Sequence, residues 1–372
     1  MPVDPADQLP ADPAHAIPPL PTGSDLPPLE ELLEHATVVA QPLRTRFRGT
    51  TVREALLLRG PHGWAEFSPF PEYGPQESSR WLAAAIEAGW QGWPEPVRTH
   101  VPVNATVPAI SAEEVAPLLE RFGPVPAVKV KVAEQPAPGT APDPCIHGVE
   151  ADLARVAEVH RLLPDAAVRI DANAGWDHPT ALEALRRLAD VVPLEYAEQP
   201  VPGIEGLARL REALAAERIP TRIAADESVR KETDPLAVAR AGAADLVVVK
   251  VQPLGGVRRA RGIVQATGLD AVVSSALDTS VGIAGGVALA AALPRLPHAC
   301  GLGTVALFAQ DVAAPPWTAD DGRLASGRRP VPDGETIAQL RAPEPVQARW
   351  RERVAAAHAV LAGAAQAPGI AD

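Results

Sequence analysis

The feature that most narrows the fold is an alternation that begins near residue 101. Short β-branched, apolar runs alternate with stretches of helical period. The strand-like runs are 101–109, 127–133, 167–175, 193–200, 222–229, 245–253, 270–278 and 298–304. Helical stretches lie between them at 150–163, 178–190, 204–217, 234–241, 257–267 and 281–293. Strands joined by helical crossovers run parallel. Eight such units in roughly 200 residues are the size of a (β/α)₈ barrel. An open doubly wound sheet would prefer a glycine-rich phosphate loop after its first strand, and VNATVPAISAEE has none.

The flanks differ in character. Residues 1–35 hold nine prolines by Pro28 and read as an extended, partly disordered extension, with a helical turn at Leu29–Glu34. Residues 36–100 read as a small α+β unit: strands in ATVVAQPLRTRF, TVREALLLRG and WAEFSPF, then a helix near Gln76–Ala88. A helix near 345–363 is expected to pack back on this unit, so that about 320–365 completes it and 101–319 is the barrel. The segment 133–149 reads as a Pro-rich loop after the second barrel strand.

Charge and composition exclude several partners. Thirty-four basic residues against forty-six acidic ones give a net charge of -12, the wrong sign for a nucleic-acid binder. No apolar run is long enough to span a membrane. The first residues lack the basic and apolar regions of a secretory signal. Cys145 and Cys300 are far apart and read as reduced thiols, which suits a cytoplasmic protein. Only four of the thirty-four basic residues are lysines: Lys129, Lys131, Lys231 and Lys250. A lysine kept against so strong an arginine bias marks a place where arginine does not serve.

In a barrel, residues at the C-terminal strand ends face the active site. Here those ends carry Lys129 and Lys131, Asp171 and Asn173, Glu198, Asp226 with Glu227, and Lys250. The strand period of two sets Lys129 with Lys131, and Asp171 with Asn173, on common faces. The steps from Asp171 to Glu198, Asp226 and Lys250 are 27, 28 and 24 residues, about one βα unit each. The charges therefore converge on one mouth. Three carboxylates from successive strands suit a hard divalent cation, Mg²⁺ or alternatively Mn²⁺. Lysine suits proton transfer in a way arginine does not. Lys129 and the metal are expected to lower the pKa of Lys131 and make it a base.

The ordered motifs VKVKV, RIDANAGW, EYAEQP, AADES and VVVKVQPLGG resemble the enolase superfamily, in its muconate-lactonizing-enzyme-like subgroup. The resemblance covers roughly residues 38–340. It implies an α/β protein, a (β/α)7β-type TIM-like barrel with an α+β capping domain from the N-terminal segment and C-terminal tail. By motif, Asp171, Glu198 and Asp226 resemble the metal ligands, Lys131 the catalytic base and Lys250 the second catalytic lysine. The stretches FRGTTVREALLLRG, GWAEFSPFPEY, SSALDTSVG and GLGT are similar to the o-succinylbenzoate synthase family of actinobacterial type. That likeness implies dehydration of a small-molecule carboxylate in menaquinone synthesis. A monomer or homodimer is expected. The likeness also leaves rivals: N-succinylamino acid racemase, dipeptide epimerase, muconate cycloisomerase, or a retired barrel that only binds.

Other positions carry weaker expectations. Lys129, Asn173, Glu227, Ser274, Ser275 and Gly301 are expected to support the site or touch substrate. Among Arg44, Arg46 and Arg48, one is expected to hold the succinyl carboxylate, with Arg46 the choice. His147 and His160 read as surface residues and Lys231 as solvated. Trp64, Trp81, Trp90 and Trp93 read as core of the N-terminal unit. Neither the extension nor the Pro-rich loop is expected to bear on the motif residues.

Overall fold

In a computed structural model of the chain, the residues described are 17–363, except 48, 137–138 and 231–234. Lys231 and Arg48 thus lie outside the described residues. Helix α1 (Leu29–Glu34) leads into an antiparallel sheet of β1 (Thr37–Phe47), β2 (Thr50–Gly60) and β3 (Gly63–Phe67), in that order. Helix α2 (Pro75–Ile86) opens on a proline, where no backbone donor is needed, and runs into a π-helical turn that Gly92 ends with φ +71°.

The expected first barrel strand is two pieces. Strand β4 (His100–Pro102) pairs outside the barrel, and β5 (Ala105–Val107) opens the parallel sheet. The order of elements is then α3 (Val115–Leu119), β6 (Ala127–Lys131), α4 (Val149–Leu162), β7 (Ala167–Asp171), α5 (His178–Ala189), β8 (Leu194–Glu198) and α6 (Ile204–Ala216). After these come β9 (Ile223–Ala225), α7 (Glu227–Arg230), α8 (Ala237–Arg240), β10 (Leu246–Val249), α9 (Val251–Leu254), α10 (Val257–Thr267), β11 (Asp270–Val273) and α11 (Ser280–Ala292). Strands β5 to β11 form one sheet in chain order, all parallel. The eighth position is a pair of bridges rather than a strand. Cys300 bridges Val103 and Gly301 bridges Ser274, both parallel, and so the sheet closes on itself.

The second to seventh expected strands all end earlier than read. The fifth ends at Ala225 and the sixth at Val249, and the residues beyond these two turn helical as α7 and α9. An apolar run does not distinguish a strand from the buried turn that follows it. The Gln199 side chain explains the first turn. Its Oε1 accepts from the backbone N–H of Asp226 and of Ser228, both at 3.1 Å, taking over donors at the start of α7.

Strand β12 (Arg323–Ala325) pairs with β4, and α12 (Gly334–Leu340) and α13 (Glu344–Leu361) follow. Helix α13 packs against α2 and shares a core with the N-terminal sheet: Leu32, Val38, Leu56, Phe67, Trp81, Ile86, Trp350 and Val354 are buried together. Phe67 and Trp350 meet edge to face at 5.9 Å, worth about 1 kcal/mol beyond the area they bury. Trp81 lies in this core, Trp90 and Trp93 pack against it, and Trp64 packs on a neighbouring cluster.

Three carboxylates bind barrel helices at their unsatisfied N-termini. Glu66 of β3 accepts from the N–H groups of Thr279 (3.0 Å) and Gly282 (3.1 Å) at α11. Glu87 accepts from Val257 and Arg258 at α10. Asp311 accepts from Ser280 at 3.0 Å. Through Glu66 and Glu87 the N-terminal unit is therefore joined to the barrel by helix caps.

Candidate active site

The strand ends bring the charged residues together because neighbouring strands are in register. Lys131 pairs with Asp171, and Asp171 with Glu198. Asp226 follows Ala225 at the end of β9, and Lys250 follows Val249 at the end of β10. Asp171, Glu198 and Asp226 are 4%, 1% and 0% exposed, so their charges have almost no water to lean on.

Three lysine amines face these carboxylates. Lys129 Nζ donates to Asp171 Oδ2 at 3.2 Å and to Glu198 Oε2 at 3.0 Å. Lys250 Nζ is paired with Asp226. Lys131 Nζ is hydrogen-bonded to Asn173 Oδ1 and stands 3.8 Å from Asp171 Oδ1. Asn173, at φ +44°, also donates from Nδ2 to Glu227 Oε1 at 3.2 Å. Glu227 therefore reaches Lys131 through Asn173, although it starts a helix rather than ending a strand.

Burial and crowding push the Glu198 carboxyl up to about 7, burial first and the Asp171 charge second. Burial would lower the Lys129 amine, yet Glu198 and Asp171 together raise it well above the usual lysine range. Both partners thus hold protons more tightly than usual. The Lys129 direction is the firmer one, because two carboxylates face one amine. Lys129 is therefore a fixed cation whose charge the carboxylates offset.

Among the described residues no three His, Cys, Asp or Glu side chains stand ready-assembled as a metal site. The donor chemistry nonetheless fits a divalent cation. Asp171, Glu198 and Asp226 are hard oxygen donors, buried, at the ends of three adjacent strands. The upward push on Glu198 marks an electrostatic deficit that a dication would relieve.

Two cavities open on this cluster. One, about 20 Å³, is lined by Lys129, Asp171, Lys250, Ser274, Ser275 and Gly301, with Phe47, Thr106 and Thr304. The other, about 240 Å³, is lined by Lys131, Arg46, Phe47, Ile110, Ile146 and His147, among others. Ser275 is committed to structure, since its hydroxyl bonds Gly301 O and Thr304 Oγ1. Gly301 packs closely: a Cβ there would lie 2.6 Å from Ser274 Oγ, and the serine hydroxyl would have to move. Arg44 is committed too, to the carbonyls of Phe308 and Ala309, whereas Arg46 lines the cavity beside Lys131. A separate cavity of about 600 Å³, by Arg53, Trp350 and Arg353, holds none of the strand-end charges.

Sequence reasoning missed three of these residues. Phe47 lines both cavities, and its one signal was its place between the arginine run and the Gly49 turn. Thr106 is the register partner of Lys129, a fact visible only once strands are aligned. His147 is half-buried against the Lys131 cavity rather than a plain surface residue.

The closed parallel barrel, its capping domain and this ring of strand-end acids and lysines define an enolase-type enzyme. Family models agree: residues 38–89 match the enolase N-terminal domain-like family and residues 111–334 the enolase C-terminal domain-like family. The chain belongs to the o-succinylbenzoate synthase family of the enolase superfamily, and by that membership it is an enzyme of the hydro-lyase class. It is 49% identical over 336 residues to the o-succinylbenzoate synthase of Mycolicibacterium smegmatis, covering 90% of this chain and 99% of that one. It is likewise 49% identical over 331 residues to the o-succinylbenzoate synthase of Thermobifida fusca, covering 89% and 98%. In fold it is similar to muconate lactonizing enzyme from Pseudomonas fluorescens, with TM-score 0.67 and 21% identity over 82% of this chain and 98% of that one. An N-succinyl Arg/Lys racemase from Bacillus cereus gives TM-score 0.66 at 18% identity, over 83% and 97%.

Proposed function

We propose that the protein dehydrates 2-succinyl-6-hydroxy-2,4-cyclohexadiene-1-carboxylate to 2-succinylbenzoate, with Mg²⁺, in cytoplasmic menaquinone synthesis. The observation that carries this reading is the pair of lysines on either side of the carboxylates. Lys131 lies beside Asp171 and Asn173, and Lys250 lies four strands further round beside Asp226.

Asp171, Glu198 and Asp226 would hold the cation, which supplies Lewis-acid charge to the substrate carboxylate. Lys131, in its neutral form, removes the proton α to that carboxylate. Asn173 and Asp171 aim its amine. The hydroxyl leaves from the same face, and the protonated Lys131 gives its proton to the departing oxygen. The balance is one substrate to one aromatic product and one water. Lys250 moves no proton in this scheme and stabilises the anion by charge. Lys129 keeps Asp171 and Glu198 in place. Ser274 and Gly301 on one side, and Arg46 on the other, bound the space for the succinyl arm.

The test is loss of the cyclohexadiene absorbance with purified protein and Mg²⁺, alongside an N-succinylamino acid racemisation assay. Turnover of the diene is expected, and its absence would sink the proposal. The facing lysines also favour a second reading, racemisation, in which both must exchange protons.

A further inference from the structure

The second barrel strand ends at Lys131, and a Pro-rich segment follows it. The end of that strand is gripped from behind by an ion pair on α4. Arg155 is fully buried and Asp152 nearly so. Arg155 spends its planar fork on three carbonyls from three separate stretches: Nε to Ile110 O at 2.5 Å, Nη1 to Lys131 O at 2.7 Å, and Nη2 to Ile146 O at 2.7 Å. Asp152 Oδ1 accepts from Arg155 Nη1 at 3.0 Å, and Oδ2 accepts from the N–H of Ala133 at 2.9 Å. The pair thus holds the chain both at Lys131 and two residues beyond it, where Ala133 turns at φ +60°.

All three carbonyl owners wall the same cavity: Ile110 and Ile146 line it with Lys131 itself. One guanidinium therefore sets the base and two sides of its cavity at once. The Pro-rich segment, which sequence reasoning set apart from the motif residues, reaches Lys131 through Ile146 and Arg155. A buried ion pair is an expensive way to gain stability. Its fixed geometry suits positioning.

We propose that Arg155, together with Asp152, is a positioning residue for Lys131, and that Ile146 and His147, near the end of the Pro-rich stretch, belong to the active-site wall. This rests on the reading of Lys131 as the base. Displacing a base by an ångström from a distance costs on the order of a hundredfold in rate.

The test uses Arg155→Met and Asp152→Asn, with Arg211→Met as control. Arg211 is a half-exposed barrel arginine, bound to Asp245 and Gly242 O, and it lines neither cavity of the site. In both test variants kcat is expected to fall about 10- to 100-fold with KM within about threefold. The deuterium isotope effect on the α-proton should rise, as proton transfer becomes the slow step. Arg211→Met should lose melting temperature but keep the wild-type kcat and isotope effect. Because the chain has only four lysines, ¹³C-lysine labelling gives a second readout: the Lys131 signal, assigned with Lys131→Arg, should move in Arg155→Met while the Lys250 signal stays. If Arg155→Met does not fold, Asp152→Asn decides by the same measurements. Test variants that behave like Arg211→Met overturn the positioning role. A wild-type protein without turnover overturns the base assignment, and this inference with it.

Discussion

Glu66 accepts hydrogen bonds from both the backbone N–H (3.0 Å) and the hydroxyl (2.6 Å) of Thr279, so one side chain of the capping domain closes the head of a barrel helix 213 residues away. Burial, and then the Asp278 charge, push the Glu66 carboxyl up to about 7 from an ordinary 4.5. A carboxyl raised on folding binds its proton more tightly in the native state. Stability therefore falls as pH rises from about 4.5 through about 7, by at most about 1.4 kcal/mol per pH unit. Glu66→Gln should flatten this slope in thermal melts run from pH 5 to 8. Equal slopes in both proteins would refute the assignment.

The carboxylate triad predicts a metal requirement. Chelation should abolish dehydration, and Mg²⁺ should restore it. Glu198→Gln, whose parent side chain is 1% exposed beside Asp171, should weaken divalent-cation binding at least about tenfold by calorimetry.

The two lysines should respond differently to arginine. Lys131→Arg is expected to fail as badly as Lys131→Ala, with kcat down about 10²- to 10⁴-fold, because a guanidinium does not take up a proton at working pH. Lys250→Arg should retain far more activity if a fixed cation suffices beside Asp226. Loss of racemisation in both variants, with dehydration absent from the wild type, would favour the racemase reading.

At Gly301 a methyl group would fall 2.6 Å from Ser274 Oγ, on the wall shared with Lys250. Gly301→Ala should shift Ser274, cost about 1–3 kcal/mol and raise KM. An unchanged KM would show that this wall does not meet substrate.

The arginines of β1 should separate cleanly in kinetics and melts. Arg46→Ala, at the Lys131 cavity, should raise KM with little change in melting temperature. Arg44→Ala, which loses bonds to Phe308 O (3.0 Å) and Ala309 O (3.2 Å), should lower stability by up to about 1 kcal/mol and leave KM alone.

Much of the mouth was legible in one dimension. Lys131, Asp171 and Glu198 sit at equivalent places in successive βα units, and the strand period turns each toward the same interior. Local rules of this kind need only a strand and its neighbour. The same rules failed at the fifth and sixth strand ends, where Gln199 and buried turns convert apolar sequence into α7 and α9. They also failed at the eighth position, where closure needs only the bridges of Cys300 and Gly301.

By itself, the sequence determined the parallel barrel, the order of its charged strand ends and the lysines kept against an arginine bias, because pattern and spacing act over a few residues. Only the tertiary structure decided that Phe47 stands between two cavities, that Arg155 grips Lys131 together with Ile110 and Ile146, and that Glu66 and Glu87 cap helices of the other domain. Those contacts join stretches that no period links. They exist because buried N–H and C=O groups must find partners, and the partner is whichever group the closed fold brings within reach.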